Sequence, residues 1–332
     1  MRVDDLFTQY PHIPPSIIIK TDIDILGVKL NDVALKAGKW AIPQTLTFYD
    51  YAYESLPERN VTSTESWLAL PEAFYFRDGT HKLIPFKRNS PYEFKEMDNC
   101  YYICYDGEPL EEIFFQHRPK WYSHKTPEGT TMSHIGYMVG DAFTVNIIQS
   151  CQYGADQCRF CDQNQTASTA KTMWGLLRPL RKKVNDTSNA YNAALQEFGL
   201  NDTPFHSIVT SGALIDSKKE GQIFIEMLRT LKEVDSRYNY EGKHWVVSSA
   251  LEEEEQRQLY SAGSGSIVVG HNIEIWDEKM WPSVVPGKVK FFGRKKWLES
   301  LVRAVEIFGD GFVTTNLIIG NELVCQGGFS DF

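Results

Sequence analysis

The chain of 332 residues is 42% apolar, enough to build a proper core for one large or two ordinary domains, which excludes a tail or linker. Asp and Glu outnumber Lys and Arg by 43 to 34, a net charge of -9 with no general pull on a phosphate backbone, so no nucleic-acid partner is expected. The start, MRVDDLFTQY, has no apolar signal core, and no stretch approaches the roughly 18 apolar residues of a membrane span; a cytoplasmic protein without membrane contact is expected.

From the N-terminus, residues 16–20 read as a β-like run and 25–30 as a short apolar stretch, with Pro11, Pro14 and Pro15 as breakers. Residues 73–76, 81–86, 100–105 and 111–115 are β-rich runs punctuated by Arg77-Asp78-Gly79 and Asp106-Gly107, the pattern of hairpins. Together they predict a small, mainly β accessory module over residues 1–130. Trp121 and Tyr122, near its end, suit either core packing or the wall of a pocket.

Residues 134–138 and 143–148 flank Gly140-Asp141 as one more hairpin, and the second of these strands delivers the chain into a polar loop. Helical spacing follows over 172–183 and 190–198, with Pro179 bending the first segment. Strands over 205–210, 244–248, 266–273 and 312–319 then alternate with helices over 220–234, 252–261 and 295–308, the mark of parallel βαβ units. Counted from Phe143 there are five strands, too few for a complete eight-fold barrel of about 250 residues. The expected fold class is therefore α/β, an open, partial TIM-type barrel over residues 131–332. A doubly wound sheet is the alternative, and periodicity does not separate the two.

Half of the six cysteines, Cys151, Cys158 and Cys161, fall in the polar loop, spaced C-x6-C-x2-C with Phe160 just before the last. Three thiols so close, in a chain without secretory features, point to a metal or cluster rather than to disulfides, because three is odd and the cytosol keeps thiols reduced. Parallel α/β folds collect ligands at the C-terminal ends of their strands. The other candidates are therefore Thr210-Ser211-Gly212, Ser248-Ser249, His271-Asn272-Ile273-Glu274, and the polar residues of 314–316 and 320–322.

This constellation resembles the radical S-adenosylmethionine (SAM) superfamily. The segments CRFC, VTSG, HNIE, VPGK and AVEIFGDGFVTTNLIIG look like uncharacterised radical SAM proteins encoded beside bacterial nitrilase genes, and more distantly like biotin and lipoyl synthases. The resemblance covers roughly residues 130–322. It implies an enzyme in which Cys151, Cys158 and Cys161 hold three irons of a 4Fe-4S cluster and SAM chelates the fourth. It implies that Phe160 is the aromatic residue before the last cysteine, that Thr210, Ser211 and Gly212 meet the SAM amino group, and that Ser248, Asn272 and Glu274 meet its methionyl and ribose parts. The implied partners are a small-molecule substrate and an electron donor such as flavodoxin or ferredoxin. The first cysteine gap is six here, against the commoner three. The chain also stops at Phe332 where a sixth helix and strand are expected, and so reads as C-terminally truncated.

Blander readings stand beside these. The cysteines suit a structural zinc site completed by His134, His206 or His271, and Thr210-Ser211-Gly212 suits any βα turn. Glu274 suits a surface position, and Lys288 and Arg294 read as solvated cations. Cys100 and Cys104 share a face of one β-like run and read as apolar strand cysteines, although with Cys325 they suggest an auxiliary cluster. The competing functions are a non-catalytic or degenerate iron-sulfur or zinc-binding scaffold, and a barrel enzyme whose cysteines are incidental.

Overall fold

The computed structural model describes residues 2–42, 70–87, 89–148, 150–161, 163, 180–201, 205–318 and 320. The fold is mixed α/β with two sheets, and the chain divides into two compact units, Met1–Pro119 and Lys120–Phe332.

The first unit opens with three helices, α1 (Val3–Gln9), α2 (Pro15–Leu26) and α3 (Asp32–Gly38), and continues into five antiparallel strands. These are β1 (Ala73–Phe76), β2 (His81–Leu83), β3 (Tyr92–Met97), β4 (Cys100–Tyr105) and β5 (Glu108–Phe115), in the order β2-β1-β5-β4-β3. The β-like reading of residues 16–20 is overturned: they lie inside α2. A proline at the first helical position presets the backbone angle, and Ile19 and Ile23, four apart, bury together in the core. β-branched isoleucines gave the misleading strand signal. Strand β3, which the sequence pattern missed, joins β4 through Asp98-Asn99, both at positive φ (51° and 63°), as a two-residue hairpin demands. Phe74, Phe94 and Phe115 meet edge-on at the centre of the core.

In the second unit the predicted hairpin forms from β6 (Tyr137–Val139) and β7 (Ala142–Ile148). The next α-helix among the described residues is α4 (Leu180–Glu197). Residues 172–179 of the predicted helix, with its Pro179 bend, lie outside the described residues. The alternation then runs through β8 (His206–Ser211), α5 (Ser217–Arg237), β9 (Lys243–Val247), α6 (Glu253–Ala262) and β10 (Ile267–Gly270). Two short helices, α7 (Trp281–Val284) and α8 (Pro286–Phe291), precede α9 (Arg294–Phe308), and β11 is only Val313–Thr314. Trp121 and Tyr122 pack in this unit: Trp121 is fully buried against Phe143, and the Tyr122 hydroxyl accepts from the Met138 N–H at 2.7 Å.

Strands β7 to β11 are parallel and lie side by side in chain order, β11-β10-β9-β8-β7, with β6 at the edge. Helix α4 packs on α5, α5 on α6, and α6 on α9. Among the described residues the strand order shows no reversal of the kind a doubly wound sheet requires.

The register sorts the sheet's side chains by face. Phe143, Val209, Val246 and Val269 are buried, and Phe143 meets Tyr191 of α4 edge-on, so this face meets the helices. Alternation puts Thr144, Asn146, Thr210, Trp245, Gly270 and Thr314 on the other face.

Candidate functional site

The cysteine loop leaves the end of β7 and is tied down by β8. Gly212 N–H donates to Ile148 O at 2.6 Å, Gln152 N–H donates to Ala213 O at 2.8 Å, and the Gln152 side chain accepts from Ile215 N–H at 3.0 Å. A Cβ on Gly212 would stand 2.5 Å from Ser150 O and 2.8 Å from Cys151 N. Only glycine lets the β8 loop and the first cysteine approach this closely. Thr210 spends its hydroxyl on a long contact to Val145 O, whereas the Ser211 hydroxyl is buried and has no hydrogen-bond partner among the described residues.

The three thiols differ in setting. Burial raises the Cys151 thiol, opposed by the N–H groups of Tyr153 and Ala213, which point at its sulfur. Cys158 packs against the cluster of Trp281, Val284 and Trp297, and burial pushes its thiol up to about 12, with Lys288 pulling the other way. Cys161 closes a turn, its N–H donating to Cys158 O at 3.0 Å, and its sulfur accepts from Gln163 N–H at 3.4 Å. Phe160 is 39% exposed, so the aromatic residue of the motif faces outward.

Among the described residues no three His, Cys, Asp or Glu side chains gather tightly enough to hold a single metal ion. His271 is poorly suited to completing a zinc site. It is fully buried, its Nδ1 faces Ser248 Oγ at 3.2 Å, its Nε2 faces the Gln256 amide at 3.2 Å, and burial lowers its pKa to about 4. Ser248 also donates to Ser249 O at 3.0 Å, so its hydroxyl organises the ends of β9 and β10.

After β10, Asn272 accepts the Asn316 N–H on its side-chain oxygen at 3.2 Å. Glu274 bridges in parallel to Leu317, a contact that continues the β10–β11 pairing beyond the short β11. It does so at φ 67°, a left-handed backbone that a glutamate seldom adopts and that concentrates at functional sites. Its carboxylate meets Lys288 Nζ at 3.2 Å, and both side chains are largely buried. Lys288 also donates to Asn272 O and lies 4.3 Å from the ring centre of Trp297. The solvated reading of Lys288 is thus overturned: α8 carries it inward over Trp297. Arg294 is half-buried, donating to Trp276 O at 2.8 Å and stacking over the Trp276 ring.

Sequence reading also missed Glu220. From the first turn of α5 it accepts the N–H of Leu214 at 2.8 Å and of Ser249 at 2.7 Å, joining the loops after β8 and β9. It is fully buried, and desolvation raises its carboxyl to about 7 against those two hydrogen bonds. A signal existed: Glu220 stands four and eight residues before Phe224 and Leu228, on the buried face of the helix.

One further constellation has the connectivity of a hydrolase triad but not its access. Asp235 Oδ2 meets His244 Nε2 at 2.9 Å and His244 Nδ1 meets Ser207 Oγ at 2.8 Å, yet Ser207 and His244 are sealed between sheet and helix. Asp235 also accepts the Tyr191 hydroxyl at 2.8 Å, so the network fastens α4 and α5 to the sheet. Compared with protein-family models, curated proteins and solved structures, the chain has no significant match. Among the described residues no helix is long and apolar enough to cross a membrane.

Proposed function

We propose that this protein is a radical SAM enzyme acting on a small organic substrate, and that its parallel sheet is the wall of an open, partial TIM-type barrel. Right-handed crossovers between parallel strands in unbroken chain order put successive helices on one side of the sheet, and the chain of helix contacts supports that curvature. The observation that carries the function is the suture of Cys151 to the β8 loop through Gly212. It brings the first cysteine to the end where three further loops converge.

The donor set suits a cluster better than a single ion. Three thiolates on separate irons stand further apart than ligands of one zinc, and they leave a fourth iron open. The N–H groups of Tyr153 and Ala213 at Cys151 are of the kind that stabilise a thiolate ligand, and the buried Lys288 cation offsets the negative charge of the set. Bound there, a 4Fe-4S cluster with SAM would supply one-electron reductive cleavage of SAM, releasing methionine and providing the radical chemistry that takes hydrogen from the substrate. The rest falls to the chain. Cys151, Cys158 and Cys161 bind, and Gly212 admits the loop. Ser211 offers an unused hydroxyl to SAM, and Glu274, held by Lys288, presents a carboxylate at the end of β10. Ser248 and Asn272 position these loops. A flavodoxin- or ferredoxin-type donor supplies the electron.

Anaerobic reconstitution with iron and sulfide tests the reading. The expected result is a brown protein whose absorption bleaches with dithionite and which releases 5'-deoxyadenosine when SAM is added. Colourless protein carrying one tight zinc ion sinks the proposal, and a cluster that never cleaves SAM turns it toward the scaffold reading. Retention of the full cluster in Cys158→Ala refutes the ligand assignment.

A further inference from the structure

The loop between Cys151 and Cys158 is held at both ends, and each hold depends on a glycine. On the β8 side, Gly212 admits the Ser150–Cys151 backbone, and Gln152 ties the loop to Ala213 and Ile215. On the other side the loop rests on α8. A single 3₁₀ turn over Gly154–Asp156 follows Tyr153, whose ring is only 4% exposed. This ring stacks on Phe291, centroids 5.5 Å apart and planes at 17°, and meets Phe292 edge-on. A Cβ on Gly287 would stand 2.5 Å from the Tyr153 ring and 2.7 Å from Asp156 O, so only glycine leaves the notch in α8 that the ring fills.

Two polar links accompany the ring. Asp156 accepts from Lys290 Nζ at 2.5 Å, and the Arg159 N–H donates to Val284 O at 2.9 Å. The Asp156–Lys290 pair lies at the surface, where ion pairs contribute little, so the grip falls to the buried ring. Cys158 packs just beyond it, on Trp281 and Val284 of α7 and Trp297 of α9. Ligands of one cluster bind together best when they already stand at matched positions, because any freedom left in the loop must be given up on binding.

We propose that Tyr153 is a positioning residue: wedged over Gly287, it fixes Cys158 against α7 and α8 while Gln152 fixes Cys151 to β8, so that the gap between them spans a set distance. The inference deepens the proposed function, from which it takes the three thiols as one ligand set. It also gives the long first cysteine gap a use, since residues 152–157 supply both anchors.

The test reads alkylation of the reduced, metal-free full chain by iodoacetamide, resolved by residue with peptide mass spectrometry. Cys158 is expected to react about tenfold faster in Tyr153→Leu and in Gly287→Ala, because the loop opens locally at that end. Cys151, held from β8, should keep its wild-type rate, and Tyr153→Phe, which retains the stacked ring, should match wild type throughout. After reconstitution with iron and sulfide, and reduction, Tyr153→Leu should give an altered EPR signal and Tyr153→Phe the wild-type one. An unchanged Cys158 rate or EPR signal in Tyr153→Leu overturns the proposal. So does an equal rise at Cys151, which would make Tyr153 a plain core residue. Tyr153→Leu carries the test if Gly287→Ala does not fold. Because alkylation needs no iron, a wild-type chain that takes up no cluster sinks the proposed function, while the alkylation rates decide this inference separately.

Discussion

Lys288 and Glu274 form a largely buried ion pair, Nζ to Oε1 3.2 Å, between α8 and the end of β10. Removing one member leaves the other charge in a dry site with its partner gone. Lys288→Met should therefore cost about 3 kcal/mol or more, whereas the double variant with Glu274→Gln should recover much of that loss. A double-mutant cycle on urea midpoints measures the coupling, and additivity of the two single changes would show that the pair is solvated.

Gly212→Ala sets a methyl group against the Ser150–Cys151 peptide at a separation no Cβ tolerates. Backbone there cannot yield without moving the loop, so the expected outcome is a folded protein, less stable by about 1–3 kcal/mol, that binds less iron on reconstitution. Unchanged iron content per chain would show that the loop accommodates the methyl group freely.

Glu220 and His271 tilt stability with pH in opposite senses. The folded-state pKa of Glu220 is raised from 4.5 to about 7, so between those values the native state holds a proton the unfolded chain has lost, and stability falls as pH rises. For His271, lowered from 6.5 to about 4, the unfolded chain holds the extra proton, and stability falls as pH drops through that window. Burial lowers His244 as well, adding to the second slope. Glu220→Gln should therefore remove the first slope and leave a protein that loses stability steadily below pH 6.5, read from urea midpoints at each pH. It also forfeits a backbone hydrogen bond, worth about 1–3 kcal/mol when the donor stays buried. A wild-type-like pH profile in the variant would remove Glu220 from the account.

The Asp235, His244 and Ser207 network is sealed, so Ser207→Ala should leave any turnover intact and cost about 1 kcal/mol. Tyr191→Phe strips one hydrogen bond from Asp235 and should cost about the same. A Ser207→Ala protein that is as stable as wild type but inactive would make the serine a nucleophile after all.

Much of the architecture was legible because strand and helix carry different hydrophobic periods. The runs that became β7 to β10 and the helices α5, α6 and α9 stood out from flanking turns, as did the three cysteines at the end of β7. Residues 16–20 misled because isoleucine run and helix face coincide, and β3 hid because its lysine and glutamates, on the edge strand of the sheet, dilute the apolar alternation. The sequence by itself also determined which strand ends carry polar groups, since that follows from where apolar runs stop. Tertiary structure alone decided how those groups are used. Gly212 matters for the backbone it meets, and Lys288 is buried because Trp297 and Glu274 enclose it. The Glu220 carboxyl is raised because it is buried away from water, and Trp245 and Thr314 share a point because Gly270 lies between them. Burial and partner are properties of folded neighbours, and residues far apart in the chain, Gly212 and Ser150 among them, become neighbours only when the sheet forms.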